Sequence, residues 1–489
     1  MTASITHYHL TRVCFQRALA FIYLIAFLIL VNQFRPLLGE HGLLPVPLLT
    51  QRISFWDSPS LFWFHYSDLL LASVLAWSGV MFAAIALTGF SEKFGIWFSS
   101  LVWLLLWVLY LSFVNVGQVF YGFGWETMLL ETGFLAIFLG SSKTEAPKVV
   151  IWLLRWVLFR LMFGAGLIKL RGDECWRDLT CMIYHYETQP VPNPLSWYFH
   201  GLSPAVHKAS VLFNHFVELV VPWGLLVPGV VGYLAGGFTI LFQTILIISG
   251  NLSWLNYITI VLCIPCFDDR FYSKVLPFVK VAEVKSSGYI RKGVLLSLTG
   301  LILFLSIAPT VNLFSPRQMM NASFTPLHLV NTYGAFGSIT KTRMEVVLEG
   351  TEEQQVTDAT QWKEYEFKCK PGDIRRMPCL MSPYHYRLDW QIWFAAMSSF
   401  RYHPWILNLA AKLLEGDAGT LSLLANNPFP GAPPKYVRAL LYEYHFTSRQ
   451  EKKKTGNWWK RTLASEYLPP LSLENSRYTD ILKQFGWKK

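Results

Sequence analysis

The sequence has 489 residues, of which 53% are hydrophobic, and its formal net charge is +11. Its apolar residues form runs long enough to cross a bilayer, for which about 20 residues are needed, so the chain is not a string of soluble domains. Lys and Arg lie mostly between these runs and in the C-terminal tail, which favours membrane lipid over nucleic acid as the partner of the basic charge. The composition therefore predicts an integral membrane protein that contacts lipid and binds no nucleic acid.

Nine apolar segments occur in the first two-thirds of the chain, and we expect each to span the membrane as a helix. Arg12 and Arg17 precede the first apolar run without a small-residue cleavage site after it, which is typical of a retained signal anchor. The apolar run from Ala209 to Phe267 is interrupted only weakly. It fits either three spans or two spans with a re-entrant segment. The nine segments are 12–34, 67–89, 95–115, 117–140, 149–168, 209–230, 231–250, 251–267 and 292–311.

The basic residues between the segments predict an orientation. With a cytosolic N-terminus and nine crossings, the basic loops near 90–94, 141–148 and 268–292 are cytosolic, as the positive-inside rule requires. Lys280 and Lys285 belong to the last of these loops. We therefore expect a multi-span transmembrane domain over 1–311, with a luminal loop at 169–208, and a luminal C-terminal domain over 312–489.

The composition of the sequence changes after residue 311, where Gly, Pro and charged residues become frequent again. Stretches at Arg343–Leu348 and Tyr365–Cys369 alternate like strands and are flanked by polar turns. The patterns at Asp389–Met397 and Trp405–Leu414 are more helical. We expect a membrane α-helical bundle of about nine spans followed by an α+β or β-sandwich-like luminal domain, β-rich with flanking helices.

Four charged residues lie inside the fourth and fifth segments, where charge is costly and often functional. Glu126 and Glu131 are five residues apart, as are Arg155 and Arg160. Antiparallel packing of the two helices across a short loop would bring Glu131 level with Arg155, and Glu126 level with Arg160. The two pairs either hold the helices together or line a polar cavity for a lipid headgroup or a substrate.

Lys169 ends the fifth segment, directly after the small residues of Gly164–Ile168. Its ammonium group either reaches outward to the membrane interface or is buried, where it could act as a base. His185 and Glu187 follow in the loop 169–208, without an HExxH or paired CxxC pattern. We predict no catalytic residue, no metal site and no cofactor.

Two predicted modifications, disulfide formation and glycosylation, depend on which side of the membrane the residues face. Cys175 with Cys181, and Cys369 with Cys379, could each close a small disulfide loop in an oxidising space, and the alternative is free thiols. Asn321 begins an Asn-Ala-Ser glycosylation pattern that is usable only if the segment after the last span is luminal.

Three blocks of the sequence resemble the lipase maturation factor family, and together they cover most of the chain from about residue 115 onward. They comprise Phe163–Lys169 with Cys175–Cys181 and His185–Pro190; Leu241–Gln243 with Ser249–Ser253 and Cys266–Asp269; and Asn331–Ser338 with Tyr365–Gly372, Ser382–Trp390, Leu423–Phe429 and Pro469–Leu473.

The resemblance implies a multi-pass protein of the endoplasmic reticulum membrane that acts in a chaperone-like way, and the Asn321 pattern predicts a glycoprotein. Members of the family help secreted dimeric lipases of the lipoprotein lipase group to fold and assemble, through a luminal C-terminal domain and without covalent chemistry. Immature lipases are then the expected partners, and aromatic side chains are the expected contacts. The candidate interface residues are Lys169, His185, Glu187, Tyr384, His385, Tyr386 and Trp390.

Two alternatives remain open from the sequence. The Gly-Ala-Gly segment before Lys169, with the Trp-bearing loop after it, is loosely similar to the group that includes the vitamin K-dependent carboxylases, in which Lys169 would be the base. The intramembrane charges would also fit a lipid-binding or transport bundle.

Overall fold

The computed structural model describes residues 7–275 and 288–488. Helices make up most of the chain as far as residue 314, and a small antiparallel sheet with further helices follows. Lys280 and Lys285, which the sequence assigns to a cytosolic loop, lie outside the described residues.

The helical region consists of long apolar helices separated by short ones. Its helices are α1 (His9–Leu38), α2 (Val46–Thr50), α3 (Ser73–Thr88), α4 (Phe90–Lys93), α5 (Ile96–Asn115), α6 (Gln118–Tyr121), α7 (Gly124–Ala136), α8 (Lys148–Arg171), α9 (Glu174–Arg177), α10 (Cys181–Thr188), α11 (Ser196–His200), α12 (Pro204–His215), α13 (Val221–Leu225), α14 (Val230–Ser249), α15 (Leu255–Cys263), α16 (Asp269–Val275), α17 (Tyr289–Leu305) and α18 (Ile307–Phe314).

Five helices among the described residues are long and apolar enough to cross a membrane, and they support a multi-pass membrane protein. The outer helices leave large apolar side chains uncovered: Leu296 and Leu303 on α17 are 75% and 61% exposed. Exposed apolar side chains on a long apolar helix suit hydrocarbon rather than water. The five candidate spans are His9–Leu38, Ile96–Asn115, Lys148–Arg171, Val230–Ser249 and Tyr289–Phe314.

The predicted count of nine spans is not confirmed, although each predicted segment contains a helix. Helix α7 has 13 residues and α15 has 9. At 1.5 Å per residue they are about 20 Å and about 14 Å long, against roughly 30 Å of hydrocarbon. The expectation that these two segments cross the membrane therefore stays a prediction.

The C-terminal sheet has four strands in the order β2-β1-β3-β4, all antiparallel to their neighbours. The strands are β1 (Arg343–Thr351), β2 (Lys363–Glu364), β3 (Tyr436–Phe446) and β4 (Trp459–Leu471). In the register of the central pair, Val347 lies opposite Leu440. Among the described residues the strands form this one sheet, so the β-sandwich-like expectation is wrong and the α+β expectation fits.

Helices cover the sheet where the sequence predicted them. Helix α19 (Arg387–Ala396) packs against β1, and α20 (Trp405–Leu414) packs against β3. The predicted strand at Tyr365–Cys369 is wrong, because pairing with β1 ends at Glu364 and only Phe367 makes an isolated bridge. The remaining helices are α21 (Ala418–Leu421), α22 (Arg449–Thr455) and α23 (Ser476–Gln484).

One cluster of buried apolar side chains extends through both regions, from Phe15 in α1 to Leu482 in α23. The packing between the helical region and the C-terminal region is therefore continuous. The predicted boundary near residue 312 stays a prediction, since the core does not divide there.

Candidate functional site

Glu131 forms a buried ion pair with Arg160, which joins α7 to α8. The second carboxylate oxygen of Glu131 accepts hydrogen bonds from the Asn331 backbone N–H at 3.0 Å and from the Tyr333 hydroxyl at 2.7 Å. Arg160 in turn donates to the Asn331 carbonyl at 2.6 Å. The segment after the last candidate span is thus part of the polar core of the helical region.

Glu126 pairs with a residue that the sequence analysis missed, Arg387 at the start of α19. The Arg387 guanidinium lies 2.7 Å from the carboxylate, and both side chains are fully buried. Arg387 also donates to the Phe120 carbonyl at 2.7 Å, and its guanidinium carbon lies 3.4 Å from the centre of the Tyr121 ring. These contacts fix the C-terminal region to α6 and α7.

The expected pairs of Glu131 with Arg155 and of Glu126 with Arg160 are therefore wrong. The expectation assumed a tight turn, but α7 ends at Ala136 and α8 begins only at Lys148, which shifts the register so that Arg160 is level with Glu131. Arg155 instead donates to the Leu225 and Val227 carbonyls at the end of α13. Unpaired carbonyls at a helix C-terminus are favourable partners for a cation.

Lys169 is buried and does not reach the membrane interface, so the outward-reaching alternative is wrong. Its ammonium lies 2.6 and 2.7 Å from the two carboxylate oxygens of Glu218 and 3.1 Å from the side-chain oxygen of Asn214. Gly166 permits this approach, because a Cβ at that position would lie 2.7 Å from the side chain of Leu219. Glu218 was missed, although an acidic residue within an apolar run is a signal for an intramembrane partner.

A large cavity lies beside this ion pair, and we call it the central cavity. Its volume is about 850 Å³. Its walls come from α8, α10, α14, α15, α19 and the segment Gly334–Thr340. Its lining includes Leu161, Met162, Ala165, Lys169, Trp176, His185, Asn214, Glu218, Phe242, Gln243, Leu246, Asn256, Trp390, Trp393 and Phe394.

His185 is buried in the wall of the central cavity. Burial, together with the nearby charge of Lys169, lowers the pKa of His185 to about 4. The imidazole is therefore neutral near pH 7, with one nitrogen that donates and one that accepts.

Glu187 joins the segment 169–208 to the sheet. Its carboxylate lies 2.8 Å from Nδ1 of His445 on β3 and 3.3 Å from Nε2 of His200. Burial raises the pKa of Glu187, while His445 opposes the shift. Arg343 on β1 strengthens the junction by donating to the Glu187 carbonyl at 2.9 Å. The described residues contain no group of three or more His, Cys, Asp and Glu side chains suited to a metal ion.

The structure joins both candidate cysteine pairs. The Cα atoms of Cys175 and Cys181 are 4.8 Å apart, and those of Cys369 and Cys379 are 5.5 Å apart. Asn321 is exposed, with a left-handed backbone at φ 52°. The residue suggested for glycosylation is thus exposed, and it belongs to the lining of the central cavity.

The aromatic interface candidates divide into two groups. His385 and Trp390 are buried, and their rings lie 5.2 and 5.0 Å from that of Trp125 in α7. They therefore hold α19 against α7 and do not face a protein partner. Tyr384 and Tyr386 are half-buried and line a second cavity of about 290 Å³ beside α1.

Lys169, His185 and Glu187 are also buried, so these three residues offer no surface to a protein partner either. Of the candidate interface residues, Tyr384 and Tyr386 are the two with substantial exposure. Only these two keep the exposure that contact with a protein partner would require.

Comparison with known proteins identifies the family. The family model described as the lipase maturation factor transmembrane domain matches residues 10–274, and the one described as the lipase maturation factor C-terminal domain matches residues 329–469. Lipase maturation factor 1 of Mus musculus is 46% identical over 95% of this chain and 88% of its own length, and that of Homo sapiens is 44% identical over 98% and 90%. Lipase maturation factor 2 of Xenopus laevis is 31% identical over 98% of this chain and 85% of its own length. No solved structure matches. The chain belongs to the lipase maturation factor family.

Proposed function

We propose that this chain is a maturation factor of the endoplasmic reticulum membrane that assists immature secreted lipases of the lipoprotein lipase group to fold and to assemble into active dimers. The observation that carries the proposal is the likeness along nearly the whole chain to proteins named lipase maturation factor 1, at 44–46% identity. In this role the chain binds its client and performs no covalent chemistry on it.

The proposal includes an orientation and a domain division. Residues 312–489 form the luminal domain, and the segment 169–208 lies on the same side of the membrane. The basic loops support this orientation through the positive-inside rule. Both cysteine pairs and the Asn321 pattern fall on the luminal side, where oxidation and glycosylation occur.

The contacts between the two regions support a mechanism in which the client is held at a fixed height above the membrane. Arg387 and Asn331 bind the C-terminal region to α7 through buried hydrogen bonds. A docking surface on that region is then rigid with respect to the bilayer. Preorganisation of this kind lowers the entropy lost when a partner binds. Tyr384 and Tyr386 are the two candidate contacts that fit this surface.

No observation favours the carboxylase-like alternative. A base needs a lone pair that faces its substrate. The three N–H groups of the Lys169 ammonium are taken by Glu218 and Asn214, so the geometry suits a structural ion pair.

The test is co-expression with a dimeric secreted lipase in cells that lack the native factor. We expect secreted lipase activity per unit of lipase mass to rise with the wild-type chain. A double variant, Tyr384→Ala with Tyr386→Ala, should lower this gain at unchanged abundance of the factor. The matched control is Tyr402→Ala, because Tyr402 is an exposed tyrosine outside the second cavity. No rise with the wild-type chain would remove the lipase role.

A further inference from the structure

The central cavity extends from between two candidate membrane-spanning helices to the C-terminal region. On one side it is bounded by Leu161 and Ala165 on α8 and by Phe242 on α14, and both of these helices are candidate spans. On the other side it is bounded by Trp390 and Trp393 on α19. Its volume, about 850 Å³, is within the range of roughly 300–1,000 Å³ that is usual for small-molecule sites. Both position and size suit one lipid molecule.

The charge of the wall selects the kind of lipid. Lys169 and Glu218 are the two charged side chains among the described residues that line the cavity, and they neutralise each other. His185 is neutral near pH 7, because burial lowers its pKa to about 4. A charged headgroup placed here would be desolvated without a counter-ion, which is strongly unfavourable. The wall therefore favours an uncharged ligand.

Unpaired polar groups in the wall show what the ligand must offer. Asn256 on α15 is 2% exposed, and its side-chain amide has no hydrogen-bond partner in the described part of the chain. Gln243 donates only to the Met162 sulfur at 3.6 Å, and sulfur is a weak acceptor. Buried polar groups are normally satisfied, so Asn256 and Gln243 call for oxygen atoms on a ligand.

We propose that the central cavity binds one molecule of a neutral lipid whose head carries hydroxyl or ester oxygens, as a monoacylglycerol does. The oxygenated head bonds to Asn256 and Gln243, and the acyl chain lies along Leu161 and Phe242. Val119, Met320 and Met397 line the cavity and are exposed, so they mark its opening. The proposal does not depend on the lipase role, since the site is complete within this chain.

The test uses the purified full-length protein in phosphatidylcholine nanodiscs with a photoreactive monoacylglycerol. Competition by monoolein is compared with competition by oleate at pH 7.4, because the two carry the same acyl chain and differ in charge. We expect monoolein to block crosslinking at a concentration at least tenfold lower than oleate. Equal or stronger competition by oleate would overturn the proposal.

Two variants locate the binding. Ala165→Phe fills the cavity and should reduce crosslinking about tenfold, whereas Leu241→Phe on the exposed face of α14 should leave it unchanged. Asn256→Ala should weaken competition by monoolein about fivefold, which is the loss expected for one hydrogen bond. If Ala165→Phe does not give folded protein, judged by its melting temperature, Asn256→Ala alone decides. Two results would contradict binding in the cavity. One is crosslinking at the wild-type level in folded Ala165→Phe protein, and the other is unchanged competition by monoolein in Asn256→Ala.

Discussion

Glu345 in the C-terminal region and Glu126 in the helical region are both completely buried, but their cations come from different places. Glu345 on β1 pairs with Arg343 and with Lys370, which belong to its own region, at 2.5 and 2.8 Å. Glu126 on α7 pairs with Arg387, which is 261 residues away in the C-terminal region. The C-terminal region therefore neutralises its buried acid internally, whereas the helical region needs the C-terminal region to neutralise Glu126. The helical region is electrostatically incomplete alone.

Replacing Arg387 with Met should have the largest effect on this arrangement, because the Glu126 carboxylate would lose its cation inside the core. Breaking a buried ion pair on one side typically costs about 3–5 kcal/mol. Thermal unfolding of the purified protein in detergent measures the loss, together with the yield of folded protein. A change below about 1 kcal/mol would mean that the pair does not couple the two regions.

Glu218→Gln should rank second, since it removes an ion pair that lies wholly within the helical region. Lys169 would keep Asn214 and the new amide oxygen as acceptors, so we expect about 3 kcal/mol, the lower end of the range for broken buried pairs. The same unfolding measurement checks it. A loss larger than that of Arg387→Met would show that the contact between regions is not the stronger one.

The third effect depends on pH. The folded-state pKa of His185 is about 4, below the ordinary value of 6.5, so the unfolded state binds more protons between these values. The stability from neutral His185 is complete above pH 6.5 and is lost as the pH falls toward 4, with a slope of up to about 1.4 kcal/mol per pH unit. His185→Asn should flatten the pH dependence of the melting temperature in this window. If the melting temperatures of wild type and variant fell in parallel with pH, His185 would not be the source of the pH dependence.

The smallest effect is expected at the edge of the sheet. Lys363 pairs with Glu352 at 2.8 Å, but both side chains are 53% exposed. Exposed pairs contribute about 0–1 kcal/mol, because water and salt screen them. Lys363→Gln should therefore leave thermal unfolding nearly unchanged, and a loss comparable to that of Glu218→Gln would show that exposure does not set the ranking.

Local pattern predicted part of this architecture. The helices α19 and α20 follow from their apolar spacing, and the apolar segments of the first part of the chain are helical as expected. The partners of the buried charges were not predictable in this way, because Arg387 and Glu218 are brought to Glu126 and Lys169 by tertiary packing. Because the partners are far apart in the sequence, the pattern of neighbouring residues does not predict these pairs.

The number of spans stays a prediction for a related reason. Helix α7 carries two carboxylates and is enclosed by protein, with Glu126, Glu131 and most of its other residues buried. In contrast, α14 and α17 expose much of their surface. Hydropathy measures whether a helix avoids water, and both environments satisfy that condition.

A double-mutant cycle on Glu126 and Arg387 tests most directly whether the C-terminal region completes the helical region. Unfolding free energies are measured for Glu126→Gln, Arg387→Met and the double variant, with Glu126→Gln and Lys363→Gln as the control cycle. We predict that the double variant loses at least about 2 kcal/mol less than the sum of the single losses, because no unpaired buried charge remains. Additivity within about 0.5 kcal/mol, equal to that of the control cycle, would contradict the account.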